Sequence, residues 1–174
     1  MNISGIYYCD SANGPGIRTS LYVSGCTHHC EGCFNKDTWD FNFGKPFTKE
    51  IQEEIIKSLQ NDYVSGLTLL GGEPFEIINQ EALYPLIMEV KKMPNKTIWV
   101  YSGYLFEELT DPNNKRCHGE LTDKIIDNID VLVDGEFVLA KKDLKLQFKG
   151  SSNQRVIDVQ KTLESKNIVL SKYN

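Results

Sequence analysis

Alternating strand-like and helix-like segments predict an α/β fold on a mainly parallel sheet. Apolar runs of strand length recur at residues 19–24, 66–70, 97–101 and 131–133. Between them lie stretches whose apolar residues repeat at helical spacing, the pattern of βαβ units. Each strand candidate runs into a short turn: Gly25, Gly71-Gly72, Ser102-Gly103 or Asp134-Gly135. Right-handed crossovers between parallel strands bring such turns to one edge of the sheet, where these folds bind ligands.

Residues 19–24 read as a strand entering a cysteine loop. For residues 48–59, Thr48 supplies an N-cap and Ile51, Ile55, Ile56 and Leu59 form an apolar stripe, so a helix is expected. Residues 66–70 read as a buried strand. Asn79 is the expected cap of a helix running to about Met93, with Leu83, Leu86, Ile87 and Val90 on one face. Pro85 within it predicts a kink or a delayed start. Residues 97–101 form the next strand, 121–129 a helix with Ile125, Ile126 and Ile129 inward, and 131–133 a short buried strand. Residues 140–148 are charged and take no assignment. Residues 155–158 read as a last strand and 159–166 as a last helix. There is no internal repeat, and Pro112-Asn113-Asn114 reads as a loop and not a linker, so residues 1–174 are expected to form a single domain.

Composition narrows the function. The net charge is −5, without the basic field of a general nucleic-acid binder. The first residues lack the charged start and apolar stretch of a signal peptide. No segment approaches the roughly 18 apolar residues of a membrane helix. The cytoplasm is the expected compartment, with neither nucleic acid nor membrane as partner. Five cysteines in a reducing compartment argue for metal binding over a disulfide framework.

Cys26, Cys30 and Cys33 stand in a Cys-x3-Cys-x2-Cys triplet. Thiolates favour zinc and iron–sulfur clusters. A structural zinc wants four ligands, usually from two paired knuckles, and there is no second knuckle nearby. His28 and His29 lie in a cramped position between the first two cysteines and read as polar loop residues. Cys9 and Cys117 read as ordinary small residues. Neither ferredoxin spacing is matched. Three thiolates holding a cluster would leave one iron free to bind a small molecule; zinc and the absence of metal stay open on spacing alone. Gly71-Gly72-Glu73-Pro74 follows a strand. It can be a plain strand-ending turn. It can also let backbone approach a ligand closely while Glu73 accepts hydrogen bonds from an ammonium group.

The triplet followed by Gly-Gly-Glu-Pro resembles the radical S-adenosylmethionine enzymes. The flanks, Asn13 to Thr19, Gly25 to Lys36 and Gly150 to Arg155, are similar to one subgroup, the activating enzymes of anaerobic ribonucleoside-triphosphate reductase. The resemblance covers roughly residues 5–160. An aromatic residue usually precedes the third cysteine in the wider superfamily; here Gly32 precedes it and Phe34 follows.

The resemblance implies a short partial (β/α) barrel of radical S-adenosylmethionine type, open on one side. It implies a [4Fe–4S] cluster on Cys26, Cys30 and Cys33, with S-adenosylmethionine chelating the fourth iron. One electron would cleave the cofactor to methionine and a 5′-deoxyadenosyl radical. That radical would take a hydrogen atom from a glycine Cα of the partner reductase. The cofactor carries this chemistry, so no catalytic side chain is expected beyond cluster and cofactor. Gly32, Cys33 and Phe34 would lie against the cofactor, and Gly72 and Glu73 would hold its amino group. Ser102 would bond its carboxylate or ribose, against a plain turn serine. Asp134 would bond a ribose hydroxyl, against a turn acid. Arg18 and Arg155 would meet the cofactor, the partner or only solvent. Asn35 and Trp39 would shape the loop. A flavodoxin-like or other low-potential donor would supply the electron. The rival readings are a small radical enzyme acting on a small molecule and a non-catalytic zinc or iron–sulfur binding module.

Overall fold

The computed structural model describes residues 1–174. The strands are β1 (Asn2–Asp10), β2 (Ile17–Val23), β3 (Lys45–Pro46), β4 (Val64–Gly71), β5 (Thr97–Tyr101), β6 (Val131–Asp134) and β7 (Arg155–Asp158). The helices are α1 (Lys49–Leu59), α2 (Ile77–Lys91), α3 (Phe106–Leu109), α4 (Thr122–Ile126) and α5 (Val159–Ser165). One seven-stranded sheet has the order β3-β1-β2-β4-β5-β6-β7.

Only the centre of the sheet is parallel. β2, β4, β5 and β6 run the same way, whereas β1 is antiparallel to both β2 and β3, and β7 to β6. The expected mainly parallel sheet is therefore a mixed one. β1 follows no buried-strand pattern because it lies near the edge and much of it stays exposed. The short connection from β1 to β2 permits only an antiparallel return.

The central strands follow one another without reversal, and right-handed crossovers in such a sequence place the helices on one face. Leu67, Leu69, Ile98, Val100, Leu132 and Ile157 pack with α1, α2, α4 and α5 in one continuous core. The alternate residues Trp99, Val131, Val133 and Val156 form a smaller cluster, as the two-residue period of a strand requires. Thr48 caps α1 by accepting from the Ile51 N–H. α2 begins three residues earlier than expected, with Glu76 at the N-cap position, and contains both Asn79 and Pro85. Asn79 is no cap; its buried side chain serves the site described below.

Arg18 is neither a surface ion nor a ligand contact: it is fully buried. Its guanidinium donates to Thr68 Oγ1 at 2.7 Å, Thr97 Oγ1 at 3.0 Å, the Leu67 carbonyl at 2.7 Å and the Thr97 carbonyl at 2.9 Å. It also lies 5.6 Å from the centre of the Trp99 ring. Burial lowers its pKa to about 10, so it remains charged at neutral pH. The side chain ties β2 to β4 and β5 at the end of the sheet opposite the cysteine loop. Replacing it with leucine leaves two carbonyls and two hydroxyls without their donor. Arg18→Leu is expected to cost about 2–4 kcal/mol, read as a lower urea midpoint at unchanged slope.

Candidate active site

The four turns meet at one edge, as expected. They surround a cleft of about 200 Å³ lined by Cys26, Cys30 and Cys33, by Gly71, Gly72 and Glu73, and by Ser102, Gly103 and Gly135. Phe34, Tyr101 and Gln154 complete much of the wall. The cysteines come from the loop after β2, and the glycine pair ends β4.

The two loops are stitched together through the backbone. The Gly72 N–H donates to the Val23 carbonyl and the Glu73 N–H to the Gly25 carbonyl, each at 2.8 Å. Gly25 N–H in turn donates to the Thr38 carbonyl at 2.7 Å. This leaves no room at Gly72, where a Cβ would stand 2.6 Å from the Gly25 oxygen. Asn79 Nδ2 donates to the carbonyls of both Ser24 and Glu73. Glu76 Oε1 accepts from the Thr27 N–H and hydroxyl. Sequence reasoning missed Asn79 and Glu76 as site residues. Their spacing after Gly-Gly-Glu-Pro on the first turns of α2 was the available signal.

Glu73 is 1 % exposed. Its Oε1 accepts from the Phe75 N–H at 2.8 Å and the Ser102 hydroxyl at 2.9 Å. Its Oε2 accepts from the Gly103 N–H at 2.7 Å. His28 Nε2 lies 3.2 Å from Oε2, off the line of a proper hydrogen bond, while its Nδ1 meets Glu136 Oε1 at 2.6 Å. Burial lowers the His28 pKa, but the two carboxylates outweigh it and the net shift is upward. His28 is thus a buried link between three loops, not the plain loop residue expected. Gly103 lacks a side chain because a Cβ would sit 2.7 Å from the His28 ring.

The carboxylate of Glu73 therefore points into the protein, so the surface it leaves for a ligand is mainly backbone. Ser102 is buried and works as the donor to Glu73. Asp134 is fully buried and does not line the cleft. Its oxygens accept from the Phe106 N–H and the Arg155 guanidinium, which also pairs with Glu107. Gly32 is a turn residue at φ 72°, likewise outside the cleft wall. Phe34 is 68 % exposed at the mouth, 5.9 Å from Phe137. Trp39 stacks on His29 at 4.6 Å. Asn35 N–H donates to Cys33 Sγ at 3.4 Å.

Three thiols line one cleft, a soft donor set of the kind that zinc and iron–sulfur clusters take. Burial pushes the Cys26 thiol up to about 12, with Glu73 and Glu76 adding to it, and burial beside Glu136 raises Cys30. Cluster assembly must therefore displace protons from these thiols. The Trp39 indole N–H and the Tyr101 hydroxyl are buried without a partner, and both residues line the cleft.

Two outcomes follow from this geometry. Glu73→Gln turns an amide N–H₂ toward donors that need acceptors, and is expected to cost about 2 kcal/mol in chemical denaturation of the metal-free protein. The Glu107 carboxyl is held below its ordinary 4.5, chiefly by the Arg155 hydrogen bonds and against burial. A lowered folded pKa contributes stability above 4.5 that is lost as pH falls through the folded value. Glu107→Gln is thus expected to cost under about 1 kcal/mol at neutral pH, the pair being exposed, and the gap to wild type should close below pH 4.5.

Comparison with known proteins agrees with this arrangement. Residues 12–157 match the family model of a 4Fe-4S single cluster domain. The anaerobic ribonucleoside-triphosphate reductase-activating protein of Escherichia coli K12 is 41 % identical over 159 residues, covering 90 % of this chain and 97 % of its own. Its counterpart from Vibrio cholerae is 39 % identical, covering 88 % and 96 %. That of Enterobacteria phage T4 is 38 % identical, covering 90 % and 93 %. With its three thiols in one cleft and likeness to these proteins along most of its length, the chain belongs to the family of anaerobic ribonucleoside-triphosphate reductase-activating proteins.

Proposed function

We propose that this chain is a radical S-adenosylmethionine activase that installs a glycyl radical on an anaerobic ribonucleoside-triphosphate reductase. The observation that carries the reading is the shared cleft of Cys26, Cys30 and Cys33 with the Gly71-Gly72-Glu73 turn. Cys26, Cys30 and Cys33 would hold a [4Fe–4S] cluster there, which would supply one low-potential electron to cleave S-adenosylmethionine. The potential of such clusters is set by charge, hydrogen bonds and exposure. Here the buried side chain of Glu73 and the Asn35 N–H donated to Cys33 Sγ are the protein's contributions.

The chain's own residues position and shield. Gly71 and Gly72 present bare backbone, which suits the amino group of the cofactor. Glu73 fixes that backbone through Ser102 and Gly103 and adds negative charge behind it. Cys33 and Phe34 would lie against the cofactor, with Phe34 the aromatic face at the mouth. Ser102 and Gly32 act through loop geometry, and Asp134 through its anchoring of Arg155. The unpartnered Tyr101 hydroxyl and Trp39 indole are the polar groups left for bound cofactor. The unreversed run of parallel strands with helices on one face is in keeping with a short partial (β/α) barrel. No helix is long and apolar enough to cross a membrane; we place the protein in the cytoplasm, drawing its electron from a flavodoxin-like or other low-potential donor.

The test begins with metal content. Anaerobic reconstitution is expected to give about four irons and four sulfides per chain, with absorption near 400 nm that a zinc protein lacks. With dithionite, this protein should form 5′-deoxyadenosine from S-adenosylmethionine, and Cys30→Ala should abolish it. A colourless zinc protein, or full turnover by Cys30→Ala, would end the reading.

A further inference from the structure

Side chains of the Gly150–Arg155 stretch brace one short segment, residues 135–138. The ladder between β6 and β7 ends at Asp134 and Arg155, and beyond it side chains take the place of a strand partner. Asn153 Nδ2 donates to the Glu136 carbonyl at 2.8 Å and Gln154 Nε2 to the Gly135 carbonyl at 2.9 Å. The fully buried Ser151 accepts from the Val138 N–H at 3.2 Å. Gln154 Oε1 accepts in turn from the N–H groups of Gly150 and Ser151. The braced segment carries Glu136, whose carboxylate reaches across to the cysteine loop. Its Oε1 meets His28 Nδ1 at 2.6 Å, the shortest hydrogen bond between residues 26–33 and any other segment. The His28 side chain is 3 % exposed. Its ring stands edge-on to Tyr104 at 4.3 Å and fills the space beside Gly103, so packing holds it as well. The next residue, His29, has φ 53°. That left-handed backbone is uncommon without glycine and persists only where the surroundings determine it.

We propose that Glu136 is a positioning residue of the thiol site. Acting through His28, it fixes the chain between Cys26 and Cys30 and so keeps the three thiols presented to the cleft. The inference rests on the activase reading above for the cluster those thiols serve. Three observations support it. His28 lies between the first two thiols in sequence, so a bond at its ring constrains the chain to both. The bond joins the cysteine loop to the segment bearing Gly135 and Phe137, which line the same cleft. The loop's other ties run to Glu76, Trp39 and Arg116. Apolar contacts cross here too, with Phe34 near Phe137 and Gly32 against the Leu139 side chain. Apolar contact is non-directional, whereas a hydrogen bond to a packed ring sets direction. Outer partners that orient ligand-bearing groups typically change metal affinity by roughly 10–100-fold when removed.

The Glu136 side chain is half-exposed, so its replacement leaves the core filled. Hydrogen–deuterium exchange of the metal-free protein is compared for wild type, Glu136→Ala and Glu136→Gln. Glutamine keeps an acceptor for His28 and removes only the charge. In Glu136→Ala, residues 26–35 are expected to exchange about tenfold faster relative to β4 and β5, while Glu136→Gln stays near wild type. After anaerobic reconstitution, Glu136→Ala should lose iron to a chelator about tenfold faster than wild type or Glu136→Gln. Unchanged exchange of residues 26–35 in Glu136→Ala overturns the inference. An equal rise throughout the protein also overturns it, since Glu136 would then brace the whole fold. Exchange as fast in Glu136→Gln as in Glu136→Ala does the same, because charge and not the bond would be the cause. A wild-type protein that takes up no iron–sulfur cluster would instead remove the activase reading, while exchange in the metal-free protein still decides the role of Glu136.

Discussion

The buried carboxylate of Glu73 is the constraint on which the site depends. A carboxyl group at 1 % exposure is tolerated only when hydrogen-bonded, and Glu73 meets that demand by drawing donors from several segments. The Ser102 hydroxyl and Gly103 N–H come from the turn after β5 and the Phe75 N–H from the turn before α2, while the His28 ring of the cysteine loop stands 3.2 Å away without bonding it. Satisfying one buried group thus fixes the β5 turn against the glycine turn. The residue that a local reading offers as a ligand contact is, in the fold, the post around which the ligand surface is arranged.

The same logic explains the small residues. Gly72 and Gly103 are glycines because backbone or a ring already fills the space a Cβ would need. Asn79 and Glu76 then hold the cysteine loop from the other side by taking its carbonyl and N–H groups. A cluster placed on three thiols is only as well oriented as the loop that carries them, and here each end of that loop is tied to α2 or to the glycine turn. Outer partners of this kind control ligand orientation as much as the ligands do.

Charge is distributed to match. Glu73 and Glu76 are buried next to the cysteine loop and the half-exposed Glu136 meets His28, while four lysines fall within residues 138–149. At the opposite end of the sheet, Arg18 is buried against carbonyls and hydroxyls and serves stability alone. Two arginines of similar appearance in sequence, Arg18 and Arg155, both turn out to be internal braces, since each finds fixed acceptors that solvent would otherwise replace.

By itself the sequence determined the strand–helix alternation, the positions of the central strands, the thiol triplet and its companion turn. These follow from periodicity and spacing, which are local. It was silent on β1, because an exposed strand near the sheet edge carries no apolar alternation, and on residues 138–149, whose shape comes from neighbours and not from propensity. Only the tertiary structure decided that Asn79 is a bridge and not a cap. It also decided that Asp134 answers to Arg155 and that His28 spans two carboxylates. Each of those roles is set by partners distant in the chain, and the identity of a hydrogen-bond partner is not a local property of the residue that makes it.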